Sequence, residues 1–404
     1  MNTASKALQA NINSLAYFGP ELVAILLLSL ICPDRKKRLY ASTFGFAGLV
    51  LSLTCLIFQI QDLTNKTIFH GLLAADPMAH LFKLIFLMGT IITSLMVLDS
   101  NDLPSKRTPE FLVLLLTVFV GMSLLGSGLH LLILYLALEL VSLPSYVMAG
   151  YNMTSRNSAE AGIKYLVYGA VAGATFLYGA SLIYGVTGQF TLSAIGNELV
   201  STQGTGMALG LGLIMMLVGI GYKCSFFPMH MWVPDVYQGA PTAVGGFLST
   251  APKAAGFAVL IRLTYEWVPP LLSNTNISMN LTVFFVIISA VTMTVGNLSA
   301  LAQNNIKRML GYSTVAHVGY ILMGYTLLSS NLMVTGFSAI GFYLIIYTLM
   351  NLGAFLVVVA LEREWLEDVD GMFLRAPVPA VCMAIFLFSL TGLPPLAGFA
   401  GKFV

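Results

Sequence analysis

Twelve stretches of this chain are apolar for about as long as a helix needs to cross hydrocarbon, roughly 20 residues. They fall near 13–32, 40–60, 79–98, 111–128, 130–151, 162–186, 206–227, 243–264, 281–301, 309–328, 333–361 and 378–404. The longest connections, 61–78, 187–205, 265–280 and 362–377, have no soluble-domain character. Charged residues make up 9% of the 404 where soluble domains carry about a quarter, so the repeated apolar runs cannot be the core of a large soluble protein. The chain is predicted to be all-α, a single polytopic bundle of transmembrane helices. Its net charge of +2 is scattered over many loops and indicates no nucleic-acid partner. The partner it requires is the lipid bilayer.

Four cysteines, Cys32, Cys55, Cys224 and Cys382, show neither CxxC nor Cys/His spacing, so no metal site and no disulfide framework is expected. The first ten residues are polar with one lysine, and the apolar run after them holds Glu21, which makes a poor signal peptide. The first span is therefore expected to stay in the mature protein.

Basic loops set the orientation. Arg35, Lys36, Lys37 and Arg38 crowd the first loop, and alternation puts Lys106, Arg107, Arg156, Lys307, Arg308, Arg363 and Arg375 on the same side. The opposite loops offer Lys66 and nothing basic in 187–205 or 265–280. Positive loops face the cytoplasm, so the N-terminus is expected outside.

Residues 221–253, GYKCSFFPMHMWVPDVYQGAPTAVGGFLSTAPK, break this apolar pattern with two lysines, a histidine, an aspartate and four prolines. Broken backbone at membrane depth is tolerated only when buried in protein or lining a wet cavity. A lysine there costs about 2.5–3.5 kcal/mol on insertion scales. Inside the spans the ionisable residues are Glu139, Lys164, Lys223, Lys253 and Lys402, with Glu21, Lys83 and Arg262 nearer the ends. Such residues mark ion pathways by default.

Each has a plainer reading. Glu139 lies too far from either helix end to snorkel, so it is either half of a structural ion pair or a working carboxylate. Lys223 and Lys253 could satisfy carbonyls freed by the breaks at Pro228 and Pro252. His230, in PMHMWVPD, could donate to the same carbonyls, and His317, beside Ser313 and Thr314, could bridge waters. Lys164 could modulate Glu139. Lys83 and Arg262 read most simply as snorkelling anchors, Asp235 as a helix cap, His70, His80 and His130 as interfacial, and Trp232 and Tyr237 as packing.

The working alternative is a proton relay. Burial disfavours the charged form of an amine, and a nearby carboxylate favours it. A lysine beside an adjustable glutamate can thus hold or release a proton, and a second lysine can receive it. Histidine suits such a chain because its ordinary pKa is about 6.5. The theme recurs in FSLTGLPPLAGFAGKFV, where Pro394 and Pro395 break a helix just before Lys402. Paired interrupted helices point to internal repeats and a midplane site. The chain stops just past Lys402, and the natural protein is expected to continue.

These blocks also carry a resemblance. KCSFFPMHMWVPDVYQGAPTAVGGFLSTAPKAAGF, LYLALELVSLPSYVMAGY, IKRMLGYSTVAHVGYILMG and GLPPLAGFAGKF resemble the antiporter-like subunits of respiratory complex I and of Mrp-type cation/proton antiporters, from about residue 110 to the end. The ending with a lysine, and YQGAPT, are similar to the N-type subunits. The resemblance implies helices 1–3 over 1–109, a first five-helix repeat over 110–264 and an inverted, incomplete second repeat over 265–404. It implies proton translocation coupled to NADH:quinone electron transfer. Glu139 would pair with Lys223, Lys253 would connect, Lys402 would be the terminal lysine and His317 would lie on the hydrated axis. It also implies partners, namely the M-type, K-type, A-type and J-type membrane-arm subunits, in a bacterial plasma membrane. NAD, flavin, iron–sulfur clusters and quinone would belong to the rest of the complex, with no cofactor on this chain. The rival readings are an Mrp-type Na⁺/H⁺ antiporter subunit, a ferredoxin- or hydrogenase-linked relative, and a structural membrane scaffold.

Overall fold

The computed structural model describes residues 38–60, 66–103, 107–201, 206–271, 275–327 and 333–403. The expected span at 13–32, Glu21, Cys32, the basic residues 35–37 and Lys106 lie outside the described residues.

Helix α1 (Arg38–Ile60) precedes a short antiparallel hairpin, β1 (Lys66–Ile68) and β2 (Leu73–Ala75), the one strand pairing among the described residues. Everything after it is helical: α2 (Pro77–Asp99), α3 (Thr108–Ser127), α4 (Leu131–Ala149), α5 (Arg156–Thr187), α6 (Leu192–Ser201) and α7 (Gly206–Cys224). Then come α8 (Val233–Gly239), α9 (Thr242–Ser249), α10 (Ala251–Leu271), α11 (Thr275–Leu301), α12 (Ile306–Met323), α13 (Met333–Leu361), α14 (Met372–Arg375), α15 (Pro377–Thr391) and α16 (Ala397–Phe403).

Side chains start these helices where polar residues meet apolar runs. Asp76 accepts from Ala79 N at α2, Ser155 from Ser158 N at α5, and Asn305 from Arg308 N at α12. Gly188 ends α5 in the left-handed conformation, at φ 64°, which glycine adopts without strain.

Among the described residues, eight helical segments are long and apolar enough to cross a membrane, with shorter apolar helices at Gly45–Ile60 and Pro377–Thr391. Three expected spans are interrupted. The one at 206–227 ends at Cys224, the one at 243–264 is split at Thr250, and the one at 378–404 is split into α15 and α16. Segment Thr242–Pro269 is enclosed by its neighbours over a membrane-length stretch, with Tyr265 and Pro269 exposed near its end, whereas most of Thr282–Leu301 faces outward.

Burial corrects one expectation. Lys83 and Arg262 do not snorkel: they are 1% and 3% exposed. Helix α10 is enclosed around Arg262, so its charge must be met inside, and it donates to Asp76 Oδ1 and to the Gly126 carbonyl at 3.1 and 2.9 Å. Burial works against the charge on Asp76, but Arg262 and the Ala79 amide outweigh it and hold its carboxyl below the usual carboxylate range.

The loops sort by end, as alternation requires. Arg107 meets Tyr151 and Met153, Ile306 N donates to Glu364 O, and Asn101 donates to Glu362. At the other end Gly128 pairs with Leu73, His130 with Thr191, and Trp267 Nε1 donates to Leu192 O. The chain is a multi-pass membrane protein.

Candidate functional site

The break after α7 leaves carbonyls without helical donors, and local groups meet them. Gly221 O accepts from the amides of Ser225 and Phe226 at 2.7 and 3.2 Å, and Tyr222 O accepts from Trp232 Nε1 at 3.1 Å. Lys223, in the last turn of α7 and 4% exposed, is therefore not consumed by the break. It donates to Ser142 Oγ at 3.2 Å.

Ser142 stands one turn beyond Glu139 on α4, so both occupy one helix face. Glu139 is half-buried and lies against Gly173 of α5, where a Cβ would sit 2.5 Å from Glu139 Oε1. Only glycine leaves that space. Among the described residues no ion pair within 4.0 Å joins Glu139 to Lys223, yet their charges interact across the gap.

Lys253 lies in the first turn of α10, 2% exposed. Its Nζ has no hydrogen-bond acceptor among the described residues, and it sits 5.8 and 5.5 Å from the ring centroids of Trp232 and Tyr237. Cation–π contact at such distances is attractive but weaker than a hydrogen bond to a carboxylate. Gly256, one turn on, brings α10 against α7: a Cβ there would lie 2.7 Å from Cys224 Sγ and 3.4 Å from Lys223 Cβ. His230 is buried with Nδ1 unpartnered among the described residues, stacks on Phe227, and feels the charge of Lys253.

Four residues before Lys253 in sequence, Ser249 meets a polar file that runs along α13. Asn351 Nδ2 donates to Ser249 Oγ at 2.5 Å, and Tyr347 OH to Ser249 O at 3.1 Å. Tyr347 lies 5.1 Å from the buried His317 ring, and His317 Nδ1 shares a 2.6 Å hydrogen bond with Tyr343 OH. Tyr320 stands edge-on to His317 at 5.5 Å, with Lys402 Nζ 4.4 Å from the Tyr320 centroid. Lys402 donates to the carbonyls of Leu390 and Thr391 at 2.9 and 3.2 Å.

Contacts thus join Lys223 to the Glu139 face of α4 through Ser142, and His317 to Lys402 through Tyr320, while Lys253 and His230 lie by the aromatic rings that follow the first break. Lys164 does not join them: it pairs with Asp235 at 2.6 Å and Glu160 at 2.8 Å. Asp235 is not the cap expected from sequence. It sits within the first turn of α8, and its other oxygen accepts from Arg308 at 2.6 Å. Burial raises its carboxyl, but the hydrogen bonds from Lys164 and Arg308 outweigh that and hold it below the usual range.

Sequence reasoning missed Ser142, Tyr343, Tyr347 and Asn351. Their signal was present: Ser142 follows Glu139 at helical spacing, and Tyr343, Tyr347 and Asn351 recur every four residues on an otherwise apolar helix.

Residues 128–404 match the family model described as NADH:quinone oxidoreductase/Mrp antiporter, TM. The chain is 43% identical to NADH-quinone oxidoreductase subunit N 2 of Sorangium cellulosum (strain So ce56), over 97% of this chain and 81% of that protein. It is similar to a chain in the structure of respiratory complex I from Thermus thermophilus with bound aureothin, at 34% identity and TM-score 0.77, covering 96% of this chain and 81% of that one. It shares its fold with a chain of the Mrp complex from Dietzia sp. DQ12-45-1b, at 20% identity and TM-score 0.82, over 97% and 73% of the two chains. The chain belongs to the NADH:quinone oxidoreductase/Mrp antiporter transmembrane family and, within it, to the subunit N group of NADH-quinone oxidoreductase.

Proposed function

We propose that this chain carries protons along a row from Glu139 to Lys402 as a membrane-arm subunit of a proton-pumping NADH:quinone oxidoreductase. Lys253 is the observation that carries the reading. A buried ammonium with no acceptor among the described residues is costly, and a scaffold has no reason to keep one between Lys223 and the His317 file.

Helix ends grade the stations. Lys223 lies in the last turn of α7, where the helix dipole favours a cation, and Lys402 is met by the carbonyls of Leu390 and Thr391. Lys253 lies in a first turn, where the dipole does not favour one. A proton therefore rests at Lys223 or Lys402 and crosses Lys253. When Glu139 moves toward Lys223 the ammonium is held, and when it withdraws the proton passes on. Lys253 Nζ, Tyr237 OH and Asn351 Oδ1 lack partners among the described residues, and buried groups of this kind are commonly met by water that could relay it.

In this reading the electron-transfer groups lie in partner subunits, and the basic loops face the cytoplasm of a bacterium with the N-terminus outside. The test is NADH-driven acidification of proteoliposomes holding the assembled complex with Lys223→Ala or Glu139→Ala. Pumping should fall at least about tenfold, the scale of a lost proton-transfer group. Full pumping in both variants would sink the proposal. An antiporter subunit would instead show cation/proton exchange without NADH.

A further inference from the structure

The short helix α8 follows the break and is enclosed between α5 on one side and α12 on the other. It bears one carboxylate, Asp235, whose two oxygens go to opposite neighbours. Oδ2 accepts from Lys164 of α5, 71 residues away, and Oδ1 from Arg308 of α12, 73 residues away, both at 2.6 Å. Arg308 also donates to Gln238 of the same short helix at 3.2 Å and to Gln303 at 3.0 Å. Just beyond, Lys307 donates to Ala240 O at 3.0 Å and Asp102 accepts from Thr242 Oγ1 at 2.8 Å. The segment between the two breaks is thus tied at its outer surface, with Asp235 joining three elements through one side chain.

The residues flanking Asp235 are the two that cover Lys253. Trp232 precedes it by three positions and Tyr237 follows by two, and their rings are those facing Lys253 Nζ. Trp232 reaches back to Tyr222 O, next to Lys223, and stacks on Tyr165, next to Lys164, at 4.5 Å. Any shift of α8 therefore moves the edge-to-face aromatic pair that contacts Lys253 and, through Trp232, the end of α7 that carries Lys223.

We infer that Asp235 is a positioning residue, a two-sided charge clasp that fixes the edge-to-face Trp232–Tyr237 pair against Lys253 and beside the end of α7 that carries Lys223. It touches no proton on the row. A pair this exposed, with Asp235 and Lys164 more than a third accessible, contributes little to overall stability. Its effect is on geometry: two short charge-assisted hydrogen bonds from different helices define where one short helix sits.

This rests on the proton-carrying reading for its consequence but not for its geometry, and the test separates them. The assembled complex is prepared with Trp267→Phe and Trp365→Phe, leaving Trp232 as the sole tryptophan of residues 1–404, and with any tryptophan of the natural subunit outside them also replaced by Phe. With a further isotopic or fluorotryptophan label confined to this subunit, Trp232 is read by ¹⁹F resonance. Asp235→Asn should shift and broaden that resonance, and Asp235→Glu should restore it. Pumping per NADH oxidised should fall severalfold in the Asn variant and recover in the Glu variant. Lys164→Gln, which keeps the Arg308 tie, should give an intermediate shift and covers the case in which Asp235→Asn does not assemble. An unchanged Trp232 resonance in Lys164→Gln and in any assembled Asp235→Asn would overturn the clasp. A shifted resonance with unchanged pumping would leave the clasp in place and overturn its link to proton transfer.

Discussion

The two proline-broken helices look alike in sequence, each setting a lysine beside interrupted backbone, but the structure uses them differently. At the first break the freed carbonyls are met by local amides and by Trp232, so Lys223 is left for Ser142 and Lys253 for two aromatic faces. At the second, Lys402 itself meets the carbonyls of Leu390 and Thr391. The plain reading of a lysine near a break, that it satisfies orphaned carbonyls, is thus right for Lys402 and wrong for Lys223 and Lys253. A proline break supplies unpaired carbonyls; whether a lysine is needed for them depends on what else the turn brings back.

The contrast is sharpest in variants that alter transport and stability in different directions. Lys253→Met should lower NADH-driven pumping by roughly a hundredfold, within the range of a lost acid–base group. It should also raise the Tm of the purified complex, because it removes an unpaired buried charge. A lower Tm would mean that Lys253 has a structural partner, and the comparison would collapse.

Lys402→Met should cost less transport, about tenfold, but should lower Tm. It removes two hydrogen bonds from a charged donor, each worth about 1.5–3 kcal/mol before the half-exposed setting reduces them. Equal and opposite Tm shifts are not required; the difference in sign is the test.

Tyr343→Phe keeps the ring against His317 and removes the 2.6 Å hydrogen bond to Nδ1. If the row continues through His317, pumping should drop about threefold, a loss near 0.7 kcal/mol at the low end for one hydrogen bond. Unchanged pumping at all pH values would take Tyr343 off the row and leave Lys402 fed from elsewhere.

The bundle was legible from sequence because apolar runs of membrane length admit few alternatives, and the loop charges agree with the ends at which the loops meet. The site was legible where cost exposed it: a glutamate and lysines in apolar helices have to be explained. Neutral polar residues carry no such cost. Tyr343, Tyr347 and Asn351 pass as ordinary members of an apolar helix until α13 is set against Ser249 and His317. Lys83 and Arg262 were misread because span length cannot tell a lipid-facing position from a buried one: Lys83 lies on the packed face of α2 and Arg262 on the enclosed part of α10. Lys164 was misplaced because its partner Asp235 lies 71 residues away, beyond any helical spacing rule.

The smallest effect comes from the part of the first site that holds no charge. Gly173 leaves room for the Glu139 carboxylate, and an added Cβ would meet Oε1 at 2.5 Å. The neighbour is the end of a flexible side chain, so Gly173→Ala should fold and simply turn the carboxylate aside. At this buried contact between α4 and α5 the methyl group also adds packing, so stability should change by no more than about 1 kcal/mol. If pumping depends on Glu139 approaching Lys223, the displaced carboxylate should alter the rate about twofold, in either direction according to whether it turns toward Lys223 or away. Gly173→Ala in a Glu139→Gln background should then add nothing, since the two changes act on one group. An additive effect would place the role of Gly173 in helix packing and leave the Glu139–Lys223 spacing without influence on the rate.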